Sequence, residues 1–213
     1  MTIEVLSFLV LLSASIAIVS RQKRKLKTFS IFKPLTTVLI ISIASLIFHK
    51  TGSTYSAIII VALVFALIGD VFLITDKFFL PGLISFLMAH IFFIIGFTSL
   101  YGFHYNLTPL LPLLIIGGVY FNYLRNHLNK FLIPVLVYIS IILVMNWQAI
   151  NLMIHHVNLI FCTLAAGSIL FSFSDSILAY DKFKKPFKSA NILILSTYWI
   201  SIFIFTIIGI YID

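Results

Sequence analysis

Charge is what this chain lacks. Of its 213 residues only 14 are Lys or Arg and 6 are Asp or Glu, 9% in all, while 62% are apolar. A soluble domain of this length covers its surface with roughly a quarter of its residues charged. A soluble enzyme, a soluble nucleic-acid binder and a disordered tail are therefore excluded. Cysteine is scarce too: Cys162 stands alone, so neither an intrachain disulfide nor a cysteine-type zinc site is available. Glycine and proline number only 9 and 6, too few for a loop-rich architecture. What is present in quantity is long apolar runs.

A spanning helix takes about 20 mostly apolar residues, because the hydrocarbon core is about 30 Å thick. Eight runs qualify: Thr2–Ser20, Phe32–Phe48, Tyr55–Thr75, Gly82–Tyr101, Thr108–Leu124, Phe131–Gln148, Ile154–Tyr180 and Ala190–Ile212. Gly52-Ser53, Pro81-Gly82, Asn106 to Pro109 and Pro186 punctuate them. Pro34, Pro109, Pro112 and Pro134 are expected in first turns, where proline is tolerated. No loop exceeds about fifteen residues, which leaves no room for a soluble domain. The predicted fold is an all-α polytopic membrane protein, residues 1–213 forming a single bundle.

The net charge of +8 sorts by side. Arg21, Lys23, Arg24, Lys25, Lys27 and Lys33 follow span one, and Lys77 follows span three. Arg125 and Lys130 follow span five; Lys182, Lys184, Lys185 and Lys188 follow span seven. Lys50 alone falls opposite. Basic loops stay cytoplasmic, so both termini are expected outside. The excess charge then reads as topology and attraction to anionic lipid, not nucleic acid. Span one has no positive segment before it and its charges follow it, unlike a cleaved signal peptide. Short loops without extensions suit a bacterial inner membrane.

Asp70 to Phe78 and Asp175 to Phe183 share the pattern D-x-x-L-x-x-D-K-F. One copy closes span three and the other span seven. Four spans separate them, which predicts a parallel 4 + 4 internal repeat with halves 1–105 and 106–213. Asp76 and Asp181 fall at the cytoplasmic boundary. Asp70 and Asp175 lie six residues deeper, about 9 Å up the helix. They are the carboxylates inside apolar spans, where an ionised group costs several kcal/mol unless a partner or polar cavity receives it. Lys77 and Lys182 sit seven residues on, near the same helix face. His90, on span four, shares Asp70's depth and is expected to hydrogen-bond it. Asn191, Ser196 and Tyr198 of span eight are the polar groups expected near Asp175, with Ser172 and Ser174 flanking it. Tyr138 and Asn146 of span six are further candidates. The remaining histidines cluster at span ends without a metal-ligand spacing, and no motif asks for a metal or cofactor.

Intramembrane aspartate pairs serve transport, proteolysis or hydrolysis of lipid bonds. Transport favours sites at the midplane and broken helices. The proteolytic G-x-G-D signature is absent, since Leu67 occupies the first glycine position. The depth of Asp70 and Asp175 matches a lipid bond just below the headgroups. A non-enzymatic carrier or lipid-binding bundle remains the alternative, and nothing in the sequence bears on oligomeric state.

One set of residues carries a resemblance. Lys33-Pro34-Leu35-Thr36, Gly69-Asp70-Val71-Phe72-Leu73, Gly82-Leu83 with Phe86-Leu87-Met88-Ala89-His90, Val137-Tyr138 with Met145 and Ala149, Gly167 with Phe173-Ser174-Asp175-Ser176, and Thr197-Tyr198 occur in that order from span two to span eight. This ordered set resembles the YhhN-like lysoplasmalogenase family. The resemblance implies an eight-span hydrolase that takes a lysophospholipid and water and cleaves the vinyl-ether bond of lysoplasmalogen, giving a fatty aldehyde and a glycerophospho-base. Asp70 and Asp175 would divide acid and base roles, His90 would support Asp70, and Tyr198 would orient water or Asp175. Lys33, Lys77 and Lys182 would meet the phosphate; Tyr138, Ser174 and Asn191 would line the substrate. The chain departs from the family pattern after the last tyrosine, where Trp199-Ile200-Ser201-Ile202 stands in place of a segment bearing Gln.

Overall fold

The computed structural model describes residues 2–212. Among them are eight α-helices: α1 (Ile3–Gln22), α2 (Leu26–Thr51), α3 (Thr54–Phe72), α4 (Phe79–Tyr101), α5 (Leu110–Leu128), α6 (Leu132–His155), α7 (Leu159–Phe183) and α8 (Ala190–Ile208). Seven stretches are long and apolar enough to cross a membrane; the longest, Leu110–His155, holds both α5 and α6. The chain is an all-helical polytopic membrane protein.

Capping chemistry sets the ends. Thr2, Ser53 and Asn158 occupy N-caps and accept from Val5, Ser56 and Phe161 amides. Gly52 ends α2 at φ +64°, a left-handed conformation that costs glycine nothing, and α3 begins two residues later. Asn129, at φ +44°, breaks the long apolar stretch and α6 starts after one 3₁₀ turn.

Several expected boundaries move: the sixth helix runs on to His155 rather than Gln148, and the seventh begins at Leu159 rather than Ile154. The second helix begins at Leu26 rather than Phe32, so Pro34 lies well inside it and Lys33 is buried within a helix rather than in a loop. The fourth begins at Phe79, so Pro81 and Gly82 fall in its first turn instead of breaking the chain before it. Proline needs no amide partner there. Gly82 allows a close approach: a Cβ there would stand 2.6 Å from the Leu73 side chain, which would have to shift.

Sequential helices pack as antiparallel neighbours, with α4 and α5 excepted. Across the middle, α2 packs on α8 and α4 on α6. Further out, α1 lies against α8, whereas α5 rests on α6 and α7 and forms no packed interface with α4. Small residues mediate the tight crossings: Gly69 lies under the Phe86 ring, and Gly167 meets Ile204 and Phe205. The main core draws on every helix but α5. The four basic connections meet at one end of the bundle. Lys182 donates to Asp76 there, Arg21 donates to Asn191, and Phe79 packs edge-on against both Phe131 and Phe183.

Candidate functional site

Asp70 lies near the end of α3, fully buried. Such a carboxylate needs partners, and α2 and α8 supply them. The Lys33 ammonium stands 3.4 Å from Oδ1 and donates to the Asp70 carbonyl at 3.1 Å. Thr37, one helical turn after Lys33 on the same face of α2, donates to Oδ2 at 2.5 Å. From α8, the Tyr198 hydroxyl donates to the same oxygen at 3.0 Å. The Trp199 indole donates to Thr37 at 3.4 Å, so a residue of the departing segment backs this network. One lysine and two hydroxyl donors thus surround the Asp70 carboxyl.

Asp175, on α7, has a sparser set. The Tyr138 hydroxyl donates to Oδ2 at 2.8 Å, and His90 Nε2 lies 3.4 Å from that oxygen. His90 is fully buried, and its Nδ1 sits 2.6 Å from the Phe86 carbonyl. A carbonyl only accepts, so Nδ1 carries the proton. In the neutral ring Nε2 then offers a lone pair to Asp175. Phe171 at 4.5 Å and Tyr138 at 5.2 Å box the imidazole edge-on.

Two partnerships therefore differ from expectation. His90 faces Asp175, not Asp70, and Tyr198 serves Asp70, not Asp175. Equal depth sets the level of a side chain along the bundle. The azimuth, set by 100° per residue and by packing, decides which carboxylate it meets. The other predicted residues are placed as follows. Lys33 is on Asp70, and Lys182 donates to Asp76 at 2.5 Å at the chamber mouth. Lys77 is exposed and lies beside its neighbour Phe78. Ser174 donates to the Ile194 carbonyl, tying α7 to α8, and Asn191 accepts from Arg21. Thr37 and Arg21 escaped sequence reasoning. The Lys33-x3-Thr37 spacing pointed to the first; for Arg21, buried in a run of basic residues, no signal was available.

Two cavities meet here. A polar chamber of about 110 Å³ contains both carboxylates and is rimmed by Arg21, Lys33 and Lys182. It has room for several waters. An apolar groove of about 540 Å³ opens between α4, α5, α6 and α7, in the space left because α5 stands off from α4. Its walls run from Val135 to Ile150 on α6, about 22 Å at the helical rise. Asp175 and Phe86 line both cavities. The apolar groove and the polar chamber thus meet at Asp175. Among the described residues no cluster of His, Cys, Asp or Glu could hold a metal ion.

A family model described as the YhhN family matches residues 28–207. The chain belongs to the YhhN family. Among its relatives, lysoplasmalogenase TMEM86B of Homo sapiens is 32% identical over 148 residues, 68% of this chain and 60% of that protein. Lysoplasmalogenase TMEM86A of Bos taurus is 34% identical over 152 residues, 66% of this chain and 60% of that protein. A lysoplasmalogenase homolog of Dictyostelium discoideum is 32% identical over 130 residues, 54% and 42% of the two chains. The chain thus spans about 60% of the length of the mammalian relatives. No solved structure matches it.

Proposed function

We propose that this YhhN family member is an integral membrane hydrolase that cleaves the vinyl-ether bond of lysoplasmalogen, releasing a fatty aldehyde and a glycerophospho-base. The observation that carries the proposal is the junction: an apolar groove and a polar chamber that share Asp175, with a second carboxylate, Asp70, in the chamber. The names of the relatives point the same way.

The two carboxylates have unlike surroundings, and unlike surroundings divide acid from base. Asp70, matched by Lys33, Thr37 and Tyr198, stays ionised. Asp175 has no cation partner, borders the apolar groove and faces the His90 lone pair; it carries the proton. Asp175 protonates the enol-ether carbon remote from oxygen, and the bond electrons move to leave an oxocarbenium ion. The Asp70 carboxylate stabilises that cation across the chamber. A chamber water attacks it, and the proton the water loses restores Asp175. The resulting hemiacetal collapses to aldehyde and alcohol, so one water is consumed overall. His90 holds the Asp175 proton in place, and Tyr138 fixes the carboxyl plane.

The same proposal includes the topology: a single bundle of eight spans in two parallel four-helix halves, the basic end cytoplasmic and both termini opposite. The reversal at Asn129 supports separate crossings by α5 and α6. The short loops support a bacterial inner membrane. Aldehyde release from lysoplasmalogen by the purified chain tests the function directly. Release by wild type, lost in Asp70→Asn and Asp175→Asn variants that remain folded in detergent, is the expected result. Wild-type-like turnover by either variant would refute the mechanism.

A further inference from the structure

The charged groups around the polar chamber do not pair off evenly. Among the described residues its rim holds three cations, Arg21, Lys33 and Lys182. Lys33 is paired with Asp70 and Lys182 with Asp76. Asp181, also on the rim, accepts from the Phe187 amide in the loop before α8. Among the described residues Arg21 has no carboxylate within ion-pair distance. Its Nε donates to the neutral side-chain oxygen of Asn191 at 3.2 Å, and its guanidinium carbon lies 5.0 Å over the Phe29 ring. One nitrogen is thus committed and the plane is fixed by an aromatic face, while both terminal nitrogens remain uncommitted to any carboxylate. A guanidinium presented this way complements a tetrahedral oxyanion through two parallel N–H donors.

We infer that Arg21 is the anchor for a phosphate group in the polar chamber and that Asn191 is the residue that positions it. Resting on the lysoplasmalogenase proposal, this assigns headgroup recognition to the end of α1 rather than to the lysines, which the carboxylates already occupy. Phosphate could arrive on the intact lipid or on a released glycerophosphate, and both present the same oxyanion. The arginine belongs to α1 and its positioning residue to α8, both line the chamber, and neither helix lines the groove. A molecule with its chain in the groove and its phosphate on Arg21 is therefore stretched across Asp175.

The test compares two substrates on the full chain in detergent: 1-alkenyl-glycero-3-phosphocholine and 1-alkenylglycerol, which lacks phosphate. Arg21→Gln is expected to lower the wild-type preference for the phosphate-bearing substrate at least tenfold, chiefly through KM. Arg21→Lys, which keeps charge without the planar fork, should lose part of it. Asn191→Asp would hold the guanidinium as firmly while neutralising it, and should lose the preference as Arg21→Gln does. In parallel, glycerol 3-phosphate should raise the Tm of wild type and not that of Arg21→Gln. An unchanged substrate preference in folded Arg21→Gln overturns the inference. If wild type releases aldehyde from neither substrate, the enzymatic proposal fails on its own. The Tm shift then decides for Arg21: a shift lost in Arg21→Gln supports the anchor, and no shift in wild type overturns it. Discrimination between the lipids without a glycerol 3-phosphate shift supports an anchor for lipid-borne phosphate only.

Discussion

The two sides of the bundle share their main helix pairings and differ in how the outer helix is held. On the first side α1 lies against α8 and the space is filled; on the second, α5 makes no such contact with α4 and an apolar groove of about 540 Å³ remains. The aspartates differ in the same sense. Asp70 sits among a lysine and two hydroxyls, and Asp175 sits at the groove with one tyrosine and one imidazole. The two carboxylates thus differ in the same way as the packing around them: Asp175 borders the groove beside α5, and Asp70 does not. On the proposed mechanism, the first side supplies the ion-paired anion Asp70, and the open side supplies the proton donor Asp175 and access for a chain.

That contrast can be broken in order of effect. Chemistry should depend on both sides: Asp70→Asn and Asp175→Asn each reduce aldehyde release by about a thousandfold or more. Only the open side should set chain recognition. Ile142→Trp, placed in the groove, is expected to cut kcat/KM for a sixteen-carbon alkenyl substrate by roughly 10- to 100-fold, an effect of about 1.4–2.7 kcal/mol, and to spare an eight-carbon one far more; equal losses would remove the groove from the chain's path. Stability should depend more on the filled side. Ile43→Ala, at 0% exposure, should cost about 2–4 kcal/mol and lower the Tm in detergent by several degrees. Ile116→Ala, groove-lining but 65% exposed, should cost roughly 0.5 kcal/mol or less. Smallest is the mouth: Lys182→Ala breaks a pair whose aspartate is largely solvated, and should shift stability by about 0–1 kcal/mol.

The eight helices were legible, because they rest on counting apolar residues along the chain. Lys33 was misplaced because six basic residues in thirteen read as loop. The chain is already helical from Leu26, and a lysine can enter a bundle when a carboxylate waits on the next helix. His90 and Tyr198 were found but given each other's aspartate, since rise is periodic in sequence whereas the direction a side chain faces depends on neighbours distant in the chain. The groove left no trace at all. It is a contact that α5 fails to make, and Leu113 or Ile116 reads the same whether it meets lipid, a partner helix or a cavity.

The exchange of partners between the halves has a practical consequence. Tyr198 attends Asp70 and His90 attends Asp175, so a chain severed between α4 and α5 would yield fragments that each hold one aspartate and the other's aromatic companion. Turnover could return only when the fragments rejoin in register. Aldehyde release would then serve as a gauge of assembly, and any slippage of one half along the other would silence both carboxylates together.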